Sequence, residues 1–141
     1  MRESMRMSER VVLDSYAVLA FLEGETAAHR VADVLAYGEP WMTLINLGEV
    51  TYIVERAYGK AAADTVFADL LAEERPDGVP IQWLPLNGVL VRRAASLKAA
   101  GGLSYADCFA AAAAAMLDCS VLTGDPEFRS AEAAGISVTW L

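Results

Sequence analysis

Four carboxylates stand where an α/β chain would place reactive groups: Asp14, Glu49, Asp107 and Asp125. Asp14 ends the apolar run Arg10-Val11-Val12-Leu13, and Asp125 lies two residues past Thr123, after Ser120-Val121-Leu122. Glu49 and Asp107 each fall in the first turn of an expected helix, three residues after Asn46 and Ser104. In an open parallel sheet, ligands bind beyond the carboxyl ends of the strands. If the strands ending at Asp14 and Thr123 are neighbours, both acids face one crevice. The two helix starts can bring the other two acids to the same edge. Carboxylates gathered in this way raise one another's pKa. A divalent cation removes that cost, and ligands that are all oxygens favour Mg2+ or Mn2+. Such a centre stabilises charge developing on a phosphodiester and activates water to attack it. His29 is the one histidine, so zinc sites of the His/Cys kind and histidine-based triads are poorly supplied.

Each acid also has a purely local reading. Asn46-x-x-Glu49 and Ser104-x-x-Asp107 fit helix capping boxes, in which the acid only satisfies backbone N–H groups. Asp14-Ser15 fits an ordinary strand-to-helix turn, and Asp125-Pro126 an N-cap followed by proline at the first helical position. No single acid is specific; the joint arrangement carries the weight.

The elements that must position these residues follow from periodicity and punctuation. Arg10 to Asp14 reads as a buried strand, and Ser15 as the cap of a helix to about Glu23 that Gly24 stops. A helix over about 26–37 ends at Gly38 and Pro40, and Trp41 to Leu44 forms the second strand. Asn46 opens a helix to Tyr58, Lys60 to Arg75 forms another, and the turn Pro76-Asp77-Gly78 closes it. Ile81 to Leu84 is a third strand, and Asn87 to Ala99 a helix ended by Gly101-Gly102. Ser104 caps an alanine-rich helix to Asp118. Ser120 to Thr123 is the fourth strand, Pro126 to Ala134 a short helix, and Ile136 to Trp140 the fifth strand. Strands that are continuous apolar runs alternating with helices imply a sheet covered on both faces. The expected fold is therefore a three-layer α/β/α sandwich with a mostly parallel five-stranded sheet. Residues 9–141 form one domain, and residues 1–8 are expected to be disordered.

The chain has 141 residues, 55% of them hydrophobic, and a mean hydropathy of +0.32. Either the core is large or a partner covers some apolar surface. The longest apolar run, Cys108 to Leu117, is too short for the roughly 20 residues of a membrane span. The charged N-terminus lacks a signal-peptide core, which places the protein in the cytoplasm. Cys108 and Cys119 read as small buried apolar residues in a reducing compartment. The net charge of −8 opposes nucleic-acid binding. The stretch Asn87 to Leu103, with Arg92, Arg93 and Lys98 and no acid, offers local relief or a plain solvated face.

These residues resemble the PIN-domain family. Val11-Val12-Leu13-Asp14-Ser15-Tyr16-Ala17-Val18 looks like its opening motif, and Asn46-Leu47-Gly48-Glu49-Val50 its second. Leu103 to Ala112 is similar to the third, an Ala-Asp step into an alanine-rich helix. Val121-Leu122-Thr123-Gly124-Asp125-Pro126-Glu127-Phe128 looks like the fourth. All four occur in the family's order across nearly the whole chain. The resemblance implies a Mg2+- or Mn2+-dependent endoribonuclease, of the VapC kind of toxin in a type II toxin–antitoxin pair. It further implies an RNA substrate such as tRNA or rRNA, a small cognate antitoxin and a homodimer. By position, Asp14, Glu49, Asp107 and Asp125 match the metal-binding acids, and Thr123 the hydroxyl residue that orients a carboxylate or water. Glu127 matches a further acid of some members, against a plainer role as a solvated residue in a first helical turn. Tyr16, Leu19, Phe21, Tyr52 and Ile53 are candidates for antitoxin or dimer contacts, although aromatic residues at helical spacing more often belong to a core.

Other readings fit less well. A phosphoacceptor receiver domain needs a second acid beside Asp14 and an acceptor after the third strand, where Leu13 and Leu84-Pro85-Leu86 stand. A haloacid-dehalogenase-like phosphatase needs Asp-x-Asp, and Tyr16 holds the second position. Two rivals share the fold: a catalytically silent binding module, and a nuclease of RNA maturation.

Overall fold

The computed structural model describes residues 9–26, 28–75 and 78–141. The disorder expected of residues 1–8 and the turn expected at Pro76-Asp77 lie outside them. In chain order the elements are β1 (Arg10–Leu13), α1 (Ser15–Leu22), α2 (Ala28–Tyr37), β2 (Glu39–Met42), α3 (Leu44–Tyr58) and α4 (Lys60–Leu71). Then come β3 (Gln82–Trp83), α5 (Gly88–Ala100), α6 (Tyr105–Leu117), β4 (Ser120–Thr123), α7 (Phe128–Ala133) and β5 (Val138–Trp140).

The sheet runs β3-β2-β1-β4-β5 with every neighbouring pair parallel. The chain starts at the centre, builds outward through β2 and β3, then returns to the far side of β1. That reversal makes the gap between β1 and β4 the topological switch point, where a ligand crevice opens beyond the strand ends. The register Leu13↔Leu122 sets the ends of β1 and β4 level. Asp14 and the segment after Thr123 therefore share one edge.

Strand alternation divides the core in two. Val11, Leu13, Met42 and Leu122 point to one face and pack under α1 to α4. Val12 and Val121 point to the other, under α5 to α7. Ala110 to Ala114 on α6 are all buried, small enough to set that helix close against β1 and β4. The architecture is the expected α/β/α sandwich, with a sheet that is parallel throughout.

Several boundaries differ from the sequence reading. Asp14, not Ser15, caps α1, because its side chain accepts the Ala17 N–H. The second strand begins earlier, at Glu39, and Thr43 caps a helix that starts at Leu44. Pro40 is tolerated there since β3 pairs only with Trp41 and Met42. Asn46 is therefore inside α3, and Glu49 is outside its first turn. The capping-box explanation of Glu49 falls with that shift. Helix α4 stops at Leu71 rather than Arg75, β3 and β5 are shorter than expected, and α7 begins at Phe128.

Candidate metal centre

Asp14 leaves β1 in extended conformation with both carboxylate oxygens engaged. Its Oδ1 accepts the Ala17 N–H at 2.8 Å, and its Oδ2 accepts the Thr123 hydroxyl at 2.5 Å. The Thr123 oxygen in turn accepts the Asp125 N–H at 3.0 Å. One hydroxyl thus fixes the end of β1 to the loop after β4. Asp14 and Thr123 are completely buried.

Asp107 lies in the first turn of α6, where its N–H donates to the Ser104 Oγ at 3.2 Å. Asp125 turns the chain after β4, its Oδ1 accepting the Glu127 N–H at 3.0 Å. That turn folds Glu127 back toward the crevice. One carboxylate oxygen each from Asp107, Asp125 and Glu127 lie within 4.8 Å of one another. A six-coordinate Mg2+ with bonds of about 2.0–2.1 Å holds its ligand oxygens roughly 3–4 Å apart, so the trio fits a hard cation with little adjustment. Glu127, which the sequence also allowed as a solvated residue, is exposed and still brings one oxygen to this group. Asp14 sits deeper beside it. Glu49 is half-buried and near enough for its charge to act on Asp107, but it stands outside the trio.

The electrostatics match this crowding. Burial pushes the Asp14 carboxyl up to about 7, against its hydrogen bonds from Thr123 and Ala17, and the charges of Asp107 and Asp125 push the same way. Burial likewise pushes Asp107 up to about 6, opposed by Ser104 and reinforced by Asp125, Glu49 and Glu127. The ion pairs among the described residues are Arg10–Glu39, Arg30–Glu9 and Lys60–Asp64, and none includes a site acid.

Sequence reading missed how the helices are locked together. The Asn46 side chain, fully buried, accepts the Thr43 hydroxyl at 2.6 Å and donates to the Ala106 carbonyl at 3.0 Å. The Asn46 backbone carbonyl accepts the Ser15 hydroxyl at 3.3 Å. Asn46 therefore joins α1, α3 and the start of α6, next to Asp14 and Asp107. A short polar residue on a face otherwise carrying Leu47, Val50 and Val54 was the available signal.

The remaining candidates lie elsewhere. His29 is exposed, with Nδ1 2.8 Å from the Thr26 carbonyl. Cys108 is buried as expected, whereas Cys119 is only half-buried. Lys98 is spent on the Leu103 carbonyl at 3.0 Å and Arg92 on Ser96 at 2.8 Å. Tyr16 and Tyr52 are exposed, while Leu19 and Phe21 pack partly against the core. Among the described residues no helix is long and apolar enough to cross a membrane.

The family model described as PIN domain matches residues 11–134. No protein of curated function matches the sequence. Among solved structures, VapBC2 from Rickettsia felis, bound to a DNA fragment from its promoter, aligns with a TM-score of 0.67 at 13% identity over 92% of this chain and 97% of its own. VapC20 from Mycobacterium tuberculosis, a toxin that cleaves the sarcin–ricin loop, aligns with a TM-score of 0.65 at 16% identity over 89% and 95%. FitAcB from Neisseria gonorrhoeae gives a TM-score of 0.65 at 19% identity over 91% and 95%. At these identities the likeness is one of fold.

Proposed function

Because this chain belongs to the PIN-domain family, we propose that it is a Mg2+- or Mn2+-dependent endoribonuclease acting in the cytoplasm as the toxin of a toxin–antitoxin pair. The observation that carries the reading is the meeting of Asp107, Asp125 and Glu127 beside the buried Asp14, at the switch point of a parallel sheet. Among the described residues none of these acids is paired with a lysine or arginine. An oxygen donor set of this charge suits a hard divalent cation, with Asp107, Asp125 and Glu127 as nearest ligands and Asp14 and Glu49 completing the acidic surround. When bound, such an ion supplies Lewis-acid stabilisation of a phosphodiester in hydrolysis.

The chain's own residues set the conditions for that chemistry. The Thr123 hydroxyl, donating to Asp14 and accepting from the Asp125 backbone, holds the two acids in fixed relation. Asn46 holds the first turn of α6, and with it Asp107. With the Asp14 and Asp107 carboxyls raised to about 7 and about 6, cation loading would release protons and strengthen as pH rises through that range.

The toxin role rests on the likeness to VapBC and VapC structures. By the same likeness, a small antitoxin is the cognate partner, structured RNA such as tRNA or rRNA the substrate, and a homodimer the assembly. The test is cleavage of total tRNA and rRNA by the purified chain in Mg2+ or Mn2+, with Asp14→Asn and Asp125→Asn beside it. Metal-dependent cleavage by the wild type, lost in both variants, supports the reading. Wild-type rates in both variants would overturn it.

A further inference from the structure

We propose that Tyr16 is the surface on which a nucleobase of the RNA substrate stacks beside the acidic centre, and that position 124 is glycine to make room for its ring. The proposal rests on the ribonuclease reading above.

Tyr16 follows Asp14 by two residues, at the start of α1. Its neighbours Ser15, Ala17 and Val18 are buried, yet its own side chain is 41% exposed. The ring does not simply project into water. A Cβ added to Gly124 would stand 2.5 Å from Tyr16 Cε1, 2.9 Å from Cζ and 3.0 Å from the hydroxyl oxygen. The edge of the ring therefore overlies the Gly124 backbone. Gly124 is absent from the glycines with positive φ, so its backbone conformation does not call for glycine. The close approach of the ring does.

Gly124 joins Thr123, which bonds Asp14, to Asp125. The ring is thus held at the rim of the crevice where a scissile phosphate would lie, with part of its surface open. No lysine or arginine acts on Asp14 or Asp107, so side-chain cations contribute little at this rim. The chain carries a net charge of −8, which opposes phosphate binding away from a metal-filled centre. Stacking on an aromatic side chain needs no positive charge and tolerates any base, because every base has a π-face. It is the contact by which proteins take hold of unpaired RNA nucleotides.

Steady-state cleavage of a long mixed-sequence RNA transcript in Mn2+ tests the proposal, with thermal melting run on every variant. Tyr16→Ala should raise KM roughly tenfold or more, the range of one lost base stack, with kcat and Mn2+ affinity held at wild-type values. Tyr16→Phe, which keeps the stacking face, should restore KM. The salt dependence of KM should keep its slope in Tyr16→Ala, since no phosphate contact is lost. Gly124→Ala gives an independent arm: its methyl displaces the far end of a side chain rather than backbone. It should raise KM in the wild-type background and add nothing in the Tyr16→Ala background, because the two changes act through one contact. An unchanged KM in Tyr16→Ala overturns the proposal, even if that variant escapes inhibition by a protein partner. Additive effects of the two substitutions overturn it as well. If the wild type itself leaves the transcript intact, the ribonuclease reading fails and this proposal with it. Cleavage by the wild type with an indifferent Tyr16 removes this proposal alone.

Discussion

At the amino-terminal end of β1, Arg10 pairs with Glu39 on β2, and the Trp41 indole donates to the same carboxylate. These hydrogen bonds, from Trp41 first and then Arg10, hold Glu39 below the usual carboxylate range. At the carboxyl-terminal end of the same strand, Asp14 is fully buried, and the charges that act on it come from Asp107 and Asp125. One end satisfies its charges within the protein and in contact with water. The other gathers charges of one sign, from the fully buried Asp14 out to the exposed Glu127, with no ion pair among the described residues to offset them. A buried carboxyl with no counterion favours its neutral form, so the second end is costly unless it serves a ligand. On the proposed reading, the contrast separates an acid that steadies the fold from acids that serve a function, although all of them are glutamates and aspartates.

The contrast can be broken or sharpened by substitution. The largest effect is expected at the acidic end: Asp14→Asn and Asp125→Asn should each lower RNA cleavage about a hundredfold or more, the usual scale for losing a group that stabilises transition-state charge. Both variants should still melt cooperatively. An Asp14→Asn protein that is inactive because it is unfolded would break the comparison, since burial of the charge would then be structural.

A pH series on the metal-free protein comes next. The folded-state pKa values of Asp14 and Asp107, about 7 and about 6, are raised above the ordinary value of 3.8. The folded state therefore holds protons that the unfolded state releases, and stability falls as pH rises through this window. The melting temperature should be higher near about pH 5 than near about pH 8, and excess Mn2+ should restore it mainly at the higher pH. Asp14→Asn should flatten the metal-free profile. A melting temperature that rises steadily over this range would contradict the account.

A smaller change is expected from Thr123→Val. It leaves the Asp125 N–H without its acceptor and Asp14 without its donor, a cost of about 1–3 kcal/mol in denaturant unfolding. Mn2+ affinity should fall roughly tenfold, as for other groups that orient ligands. Arg10→Ala should have the least effect. Its pair with Glu39 is exposed, and such pairs contribute little, so cleavage should be unchanged and the melting temperature nearly so.

Much of this was legible in the sequence because apolar runs and helix stops are local properties. Ser120 to Thr123 came out at its true limits, and Asp14, Asp107 and Asp125 were placed correctly at the edge of a parallel sheet. The errors have a common origin in competition between nearby residues able to do the same job. Thr43 and Asn46 can both cap a helix, and so can Asp14 and Ser15; spacing does not say which one does. In each case the earlier residue takes the cap. The later one is freed for a hydrogen bond to a distant segment, Asn46 to the Ala106 carbonyl and Ser15 to the Asn46 backbone carbonyl. Those bonds cross 60 and 31 residues of sequence, and no local pattern announces them. Glu127 is exposed, as the solvated reading expected, yet one of its oxygens also lies with those of Asp107 and Asp125. Only the turn made by the Asp125 side chain directs it back to Asp107 and Asp125.

The central claim is that Asp107, Asp125 and Glu127 hold a divalent cation beside Asp14. The most direct measurement is a Mn2+ titration of the wild-type protein followed by electron paramagnetic resonance, repeated on Asp125→Asn and Glu127→Gln. The account predicts loss of the free-ion signal in the wild type, stronger at about pH 8 than at about pH 5, and affinity weakened roughly tenfold or more in each variant. A wild type that leaves the Mn2+ signal at its free amplitude, or variants that bind as well as the wild type, would contradict it.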